Sequence, residues 1–176
     1  MRTYVSAALL LPSPSLSFAQ ANAAAACLID PNATVVAPVI REAASAQFAI
    51  VRECAANSDC AEAVLDEMDE DSLNDDELAV LELARGDTEL LQGSSRRARR
   101  AYEEVLDLPE ANRQLKRAAI QRLAVRHIED EDFDDVLEQL EGLECGEWTP
   151  DLLFLQARAH YEEGEFGGGV QTDTIQ

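Results

Sequence analysis

A chain of 176 residues carrying 35 acidic and 14 basic side chains has room for one ordinary domain plus a leader, and its formal charge of −21 repels nucleic acid and anionic membrane surfaces as a whole. Apolar residues make up 47% of it but aromatic ones only 5%, and six prolines with eight glycines are too few for a disordered linker throughout. Alanine and leucine dominate the apolar content, which favours helices packed on helices and disfavours a sheet.

Residues 1–21 read as a signal peptide. Arg2 gives a short positive region, and Val5 to Leu11 form an apolar run that Pro12 and Pro14 break. Ala19-Gln20-Ala21 then has the small-x-small form a signal peptidase accepts. The run is shorter than the roughly 20 residues a spanning helix needs, and no later segment is long enough or apolar enough to cross a bilayer, so no membrane insertion is expected after cleavage. A mature chain starting near Asn22 would lie in the periplasm or be otherwise exported. The alternatives are an N-terminal arm of a cytosolic protein, or lipid anchoring at Cys27, for which Ala24 stands where a leucine-like residue is wanted.

Residues 22–35 are alanine-rich and irregular, with a turn at Asp30-Pro31-Asn32. A helix hairpin is predicted over 36–71: Ile40, Ala43, Ala44, Phe48, Val51 and Cys54 follow helical spacing, and so do Ala61, Val64, Leu65 and Met68 after a cap at Ser58-Asp59. After an acidic connection, Ser72 or Asn74 caps a helix carrying Leu78, Leu81, Leu83 and Leu90. Amphipathic stretches follow at 94–108, 112–130, 132–143 and 150–163, with breaks at Gly93, Pro109, Glu131-Asp132, Gly142 to Pro150, and Gly164. The predicted fold is therefore all-α, built of antiparallel hairpins stacked as a short solenoid. Residues 167–176, without an apolar stripe, read as a flexible tail or linker.

Four cysteines in an exported chain suggest disulfides. Cys54 and Cys60 bracket a polar turn and can staple the first hairpin; Cys27 with Cys145 follows by elimination. Zinc and thiol catalysis are disfavoured, since there is no Cys-x-x-Cys and no histidine lies near a cysteine in sequence. The acidic runs 66–77 and 129–135 lack the spacing of a calcium loop and read as solvated faces, with Asp75, Asp76, Asp132 and Asp134 favoured at helix N-termini. No nucleophile–base order, phosphate loop or His-Glu-x-x-His motif is present, so neither an enzyme nor a cofactor or metal is predicted.

An internal register links Arg122–Phe133 to Gln156–Phe166: Ala124 matches Ala157, His127 His160, Ile128 Tyr161, Glu131 Gly164 and Phe133 Phe166, each 33 residues apart. Such a match predicts like surroundings for Ala124 and Ala157, and packing roles for both histidines. An earlier unit has Gly86 at the small position, Leu90 at the bulky one, Gly93 at the turn, then Ala98, Tyr102 and Pro109. Gly93 to Glu131 spans 38 residues, which implies an insertion around Glu110 to Leu115. The register resembles the tetratricopeptide repeat over about residues 72–166. It departs from that pattern where no tryptophan opens a repeat, where Ser95 replaces an aromatic, and where the third unit stops after its first helix.

The resemblance implies a concave groove lined by the first helix of each hairpin and holding a protein or peptide partner. Nine of the fourteen basic residues lie between 96 and 126. Arg122 and Arg126, four apart, share a face of such a helix and can clamp a partner carboxylate, with Arg113 and Lys116 as further candidates. The same cations can instead pair with Glu103, Glu104, Asp107 and Glu129. The sequence thus predicts an exported interaction scaffold of the cell envelope. The alternative is an accessory oligomerisation domain, either self-associating through the uncapped last repeat or belonging to a longer envelope protein.

Overall fold

A computed structural model describes residues 36–54, 57–144 and 147–164. The leader, the irregular segment 22–35, Cys27, Cys145, Phe166 and the tail lie outside the described residues. Within them the chain is all-α. Seven helices follow one another: α1 (Glu42–Cys54), α2 (Ser58–Asp66), α3 (Asp75–Leu91), α4 (Ser95–Asp107), α5 (Arg113–Glu129), α6 (Phe133–Glu141) and α7 (Pro150–Glu162), with a single 3₁₀ turn at Glu70–Ser72. Each helix packs on its sequence neighbour, and α3 with α5, and α5 with α7, also touch, so the hairpins form a stack. None of these helices is long and apolar enough to cross a membrane.

The core divides into three layers that share helices. Ala44, Phe48, Leu65, Met68 and Leu81 fill the space between α1, α2 and α3. Ala79, Leu83, Ala98, Tyr102, Val105, Ala119 and Leu123 fill that between α3, α4 and α5. Ala124, Ile128, Val136, Leu140, Leu152, Leu155 and Ala159 join α5, α6 and α7. Helices α3 and α5 therefore bury residues on two sides, whereas α4 buries one stripe at Ala98, Ala101, Tyr102 and Val105.

Helix boundaries follow capping chemistry. Asn57, and not Ser58-Asp59, caps α2 by accepting from the Cys60 amide at 3.1 Å. Asn74 caps α3 in a reciprocal box with Glu77. Asn112 caps α5 by accepting from the Gln114 amide, so within the stretch Glu110 to Leu115, where an insertion was expected, Glu110 to Asn112 form the loop before α5 and Arg113 to Leu115 open the helix. Helix α5 is accordingly 17 residues long where α7 has 13. Cys54 and Cys60 form a disulfide with Cα atoms 5.6 Å apart, stapling α1 to α2.

Two helix ends close with the same pair of backbone bonds. Ser94 N–H reaches Glu89 O and Gly93 N–H reaches Leu90 O; Asp132 N–H reaches His127 O and Glu131 N–H reaches Ile128 O. Both closures need a left-handed residue, and Gly93 (φ 77°), Glu131 (φ 64°) and Gly164 (φ 80°) supply it after α3, α5 and α7. The predicted register therefore holds at the turns. It fails at the matched alanines: Ala124 is fully buried beneath α6, whereas Ala157 is exposed because no described helix follows α7.

The acidic run 66–77 is not solvated throughout. Glu77 is fully buried, accepting from the Asn74 amide, the Arg41 amide and the Arg41 guanidinium. Next to it Asp76 accepts from the amides of Val39 and Asn112, both at 2.6 Å, and Asp75 from that of Glu110. The first turn of α3 thereby ties the segment before α1 to the loop before α5. The Arg41 hydrogen bonds hold the Glu77 carboxyl down at about 2, outweighing burial, which pushes it up.

Two predictions follow from these contacts. Glu131→Gly relieves a left-handed β-carbon and raises the unfolding free energy by about 1 kcal/mol in denaturant titration, whereas Gly93→Ala lowers it by about as much. Because Glu77 has a lower pKa folded than unfolded, its contribution is complete above the ordinary value of 4.5 and is lost as pH falls towards 2. Thermal melts across that window will show Glu77→Gln about 1–3 kcal/mol less stable at neutral pH, with a smaller loss on acidification than the parent chain.

Candidate functional site

Gly86 sits in the middle of α3, where glycine weakens a helix, and its use is steric. A β-carbon there would lie 2.2 Å from Cε1 and 2.7 Å from Cζ of Tyr102. The missing side chain lets the fully buried Tyr102 ring of α4 lie against α3, with its hydroxyl donating to Asp87 Oδ1 at 2.8 Å. The same carboxylate accepts both arms of Arg122 from α5, Nε at 2.8 Å and Nη2 at 2.9 Å. The guanidinium also lies over the Tyr102 ring, 5.9 Å from its centroid. One carboxylate thus joins three helices. Burial first, then the bond to Asp87, raises the Tyr102 pKa, so the hydroxyl stays a donor; the Asp87 bond raises that of Arg122.

Asp87, Tyr102 and Arg122 form one wall of a cleft of about 310 Å³ between α3 and α5, completed by Leu90, Gln121, Val125 and Arg126. It has one apolar edge and one charged edge, suited to a peptide side chain with a polar end.

The four cations singled out in the sequence do not converge. Arg122 and Arg126 both line the cleft, but Arg122 is held by Asp87, and Arg126 pairs with Glu129 three residues on. Arg113 and Lys116 lie in the first turn of α5, away from the cleft. Arg113 pairs with Glu144, and Lys116 Nζ donates to Leu106 O at 3.3 Å. Of the acidic partners expected from sequence, only Glu129 is used by either cleft arginine. Asp87 was missed because it lies 35 residues from Arg122, beyond any local spacing rule. Its signal is a carboxylate directly after the helix's small residue, where the following helix packs.

A second cluster lies at the turn between α5 and α6. His127, expected only to pack, is buried, and it also faces Asp132 and Asp135 across the turn. A histidine in a helix's last turn, followed at five and eight residues by aspartates that open the next helix, is the pattern that would have pointed there.

Comparison with protein-family models, curated proteins and solved structures finds no match in any of the three. The class of protein therefore rests on the chain itself: an all-α stack of helix hairpins with a half-polar cleft between its longest helices.

Gly86→Ala tests the close approach. Helix propensity favours alanine by about 1 kcal/mol. Displacing a buried tyrosine held at both ring and hydroxyl costs more, giving a net loss of about 2 kcal/mol in chemical denaturation and a weakened Arg122–Asp87 contact.

Proposed function

We propose that this chain is an exported helical-repeat scaffold of the tetratricopeptide kind, which binds a protein partner in the cell envelope and carries out no chemistry itself. Export is supported by the leader-like residues 1–21 and by the Cys54–Cys60 disulfide, a bond that persists in oxidising compartments. The repeat reading is supported by the left-handed residues that close α3, α5 and α7.

The observation that carries the binding role is the outward face of α7. Phe154 and Tyr161 are 66% and 67% exposed, with Ala157 exposed between them. Of the positions 33 residues earlier, Ala124 and Ile128 are buried beneath α6, and Gln121, the match of Phe154, is half-buried. This face of α7 has the spacing of a helix-accepting surface, with its apolar residues in water. A partner helix seated on it would bury two aromatic anchors, the residue type that dominates interface energies. The cleft beside Arg126 lies elsewhere on the stack and can take an extended segment. The oligomerisation reading shares the first observation, since a second copy could cover the same face.

A photoreactive residue in place of Phe154 separates the two readings. The scaffold predicts crosslinks to a distinct envelope protein, weakened by more than about tenfold by Tyr161→Glu. Crosslinks only between copies would establish oligomerisation, and none at all would overturn both. Arg126→Glu tests the cleft more cleanly than Arg122→Glu, which would set two carboxylates against each other at Asp87.

A further inference from the structure

We infer that His127, Asp132 and Asp135 form a binding site for a divalent transition-metal ion of the zinc type, pinning the turn between α5 and α6. The inference does not depend on the scaffold reading. His127 Nδ1 lies 3.5 Å from Asp135 Oδ2 and 4.0 Å from Asp132 Oδ2, and one donor atom from each residue falls within 4.8 Å of the others. Zinc bonds of about 2.1 Å in tetrahedral array place ligand atoms about 3.4 Å apart, so one pair is already at that spacing and the others close by a side-chain adjustment.

The imidazole gives the second, independent indication. His127 is more than nine-tenths buried, and its Nδ1 is sealed from water without a hydrogen bond, although two carboxylates stand just beyond hydrogen-bonding range. A buried polar atom left without a partner is costly, and an ion shared with the carboxylates would satisfy it. The backbone fixes this arrangement. The bond from Asp132 N–H to His127 O closes α5 and brings the two residues face to face. Asp132 sits at the N-cap of α6 yet makes no capping hydrogen bond, and its carboxylate turns towards His127.

Charge favours a cation here in spite of the α6 N-terminus, whose dipole opposes one. Six of the seven residues from Glu129 to Asp135 are acidic. The arginines in reach are Arg126, paired with Glu129, and Arg99, 3.5 Å from Asp130 and 3.9 Å from Asp132. Glu131, Asp132, Asp134, Asp135 and Glu163 line a cleft of about 270 Å³ beside the site, through which a hydrated ion can enter. An imidazole nitrogen among the donors selects zinc-like ions over magnesium or calcium, which prefer oxygen alone. Three protein ligands leave a fourth position for water.

The test is isothermal titration of the disulfide-intact full chain with Zn²⁺, alongside thermal melts with and without the ion. The parent chain should bind, and Zn²⁺ should raise its melting temperature. His127→Asn should weaken binding by at least about tenfold. The double variant Asp132→Asn/Asp135→Asn, which alters only half-exposed side chains and leaves the core intact, should do the same and melt identically with and without the ion. His160→Asn, at the matched repeat position, should bind as the parent does. No uptake by the parent chain, or undiminished uptake by both site variants, would overturn the assignment. So would binding of Ca²⁺ that the aspartate variant abolishes and His127→Asn spares.

Discussion

Three helices meet at the carboxylate of Asp87, and the register of the central hairpins depends on that meeting. Exposed ion pairs contribute little on average, since water screens them and two long side chains must be immobilised. The Asp87 contact differs in geometry, although its carboxylate is half-exposed. Its guanidinium bond is two-armed, the cation is half-buried over an aromatic face, and the third partner is a hydroxyl on a fully buried ring. The contact exists only because Gly86 admits Tyr102 so close to α3. A backbone choice made for one helix therefore settles where the next two lie.

The same arrangement explains what the sequence could and could not disclose. Helix α4 has one buried stripe, so its periodicity was plain; α6 carries Val136 and Leu140 on a short stripe and was equally legible. Helices α3 and α5 bury residues on two sides, which blurs any single stripe, and only their caps and the glycine after α3 marked their limits. The turn after α5 was legible through its alignment with Gly164, although a glutamate occupies the left-handed position. Contacts made across the stack were not legible. Glu77 lay inside an acidic run with every mark of a solvated surface, yet Arg41, 36 residues away, draws it into a fully buried site. Asp87 was equally silent. Chemistry that depends on which helices become neighbours is written in the packing, and spacing along one helix does not record it.

The cationic side chains show how so acidic a chain stays compact. Arg41, Arg85, Arg97, Arg99, Arg113 and Arg122 each contact a carboxylate on another element. Six of the fourteen basic residues, among them four of the nine between 96 and 126, are thus engaged in joining separate elements of the fold. Any acid entering the cleft at Arg122 must compete with Asp87, already bound through two bonds, so the proposed binding role rests more on an apolar contact than on the arginines.

That conclusion places the two ends of the α5–α6–α7 layer in different roles. At the α5–α6 turn, carboxylates crowd around a sealed imidazole, and the local imbalance is one of charge, which a cation relieves. On the outer face of α7 the imbalance is apolar: Phe154 and Tyr161 stand in water, whereas Ile128, the match of Tyr161 on α5, is buried, and Gln121, the match of Phe154, is polar and half-buried. Small exposed apolar groups are ordinary on a protein surface, but Ala157 and Tyr161 repeat the small and bulky pair, Ala124 and Ile128, that α5 buries against α6, and Phe154 adds an aromatic where α5 has Gln121. Covering that face requires no new packing rule, because a helix bearing the counterparts of Val136 and Leu140 would seat there as α6 seats on α5.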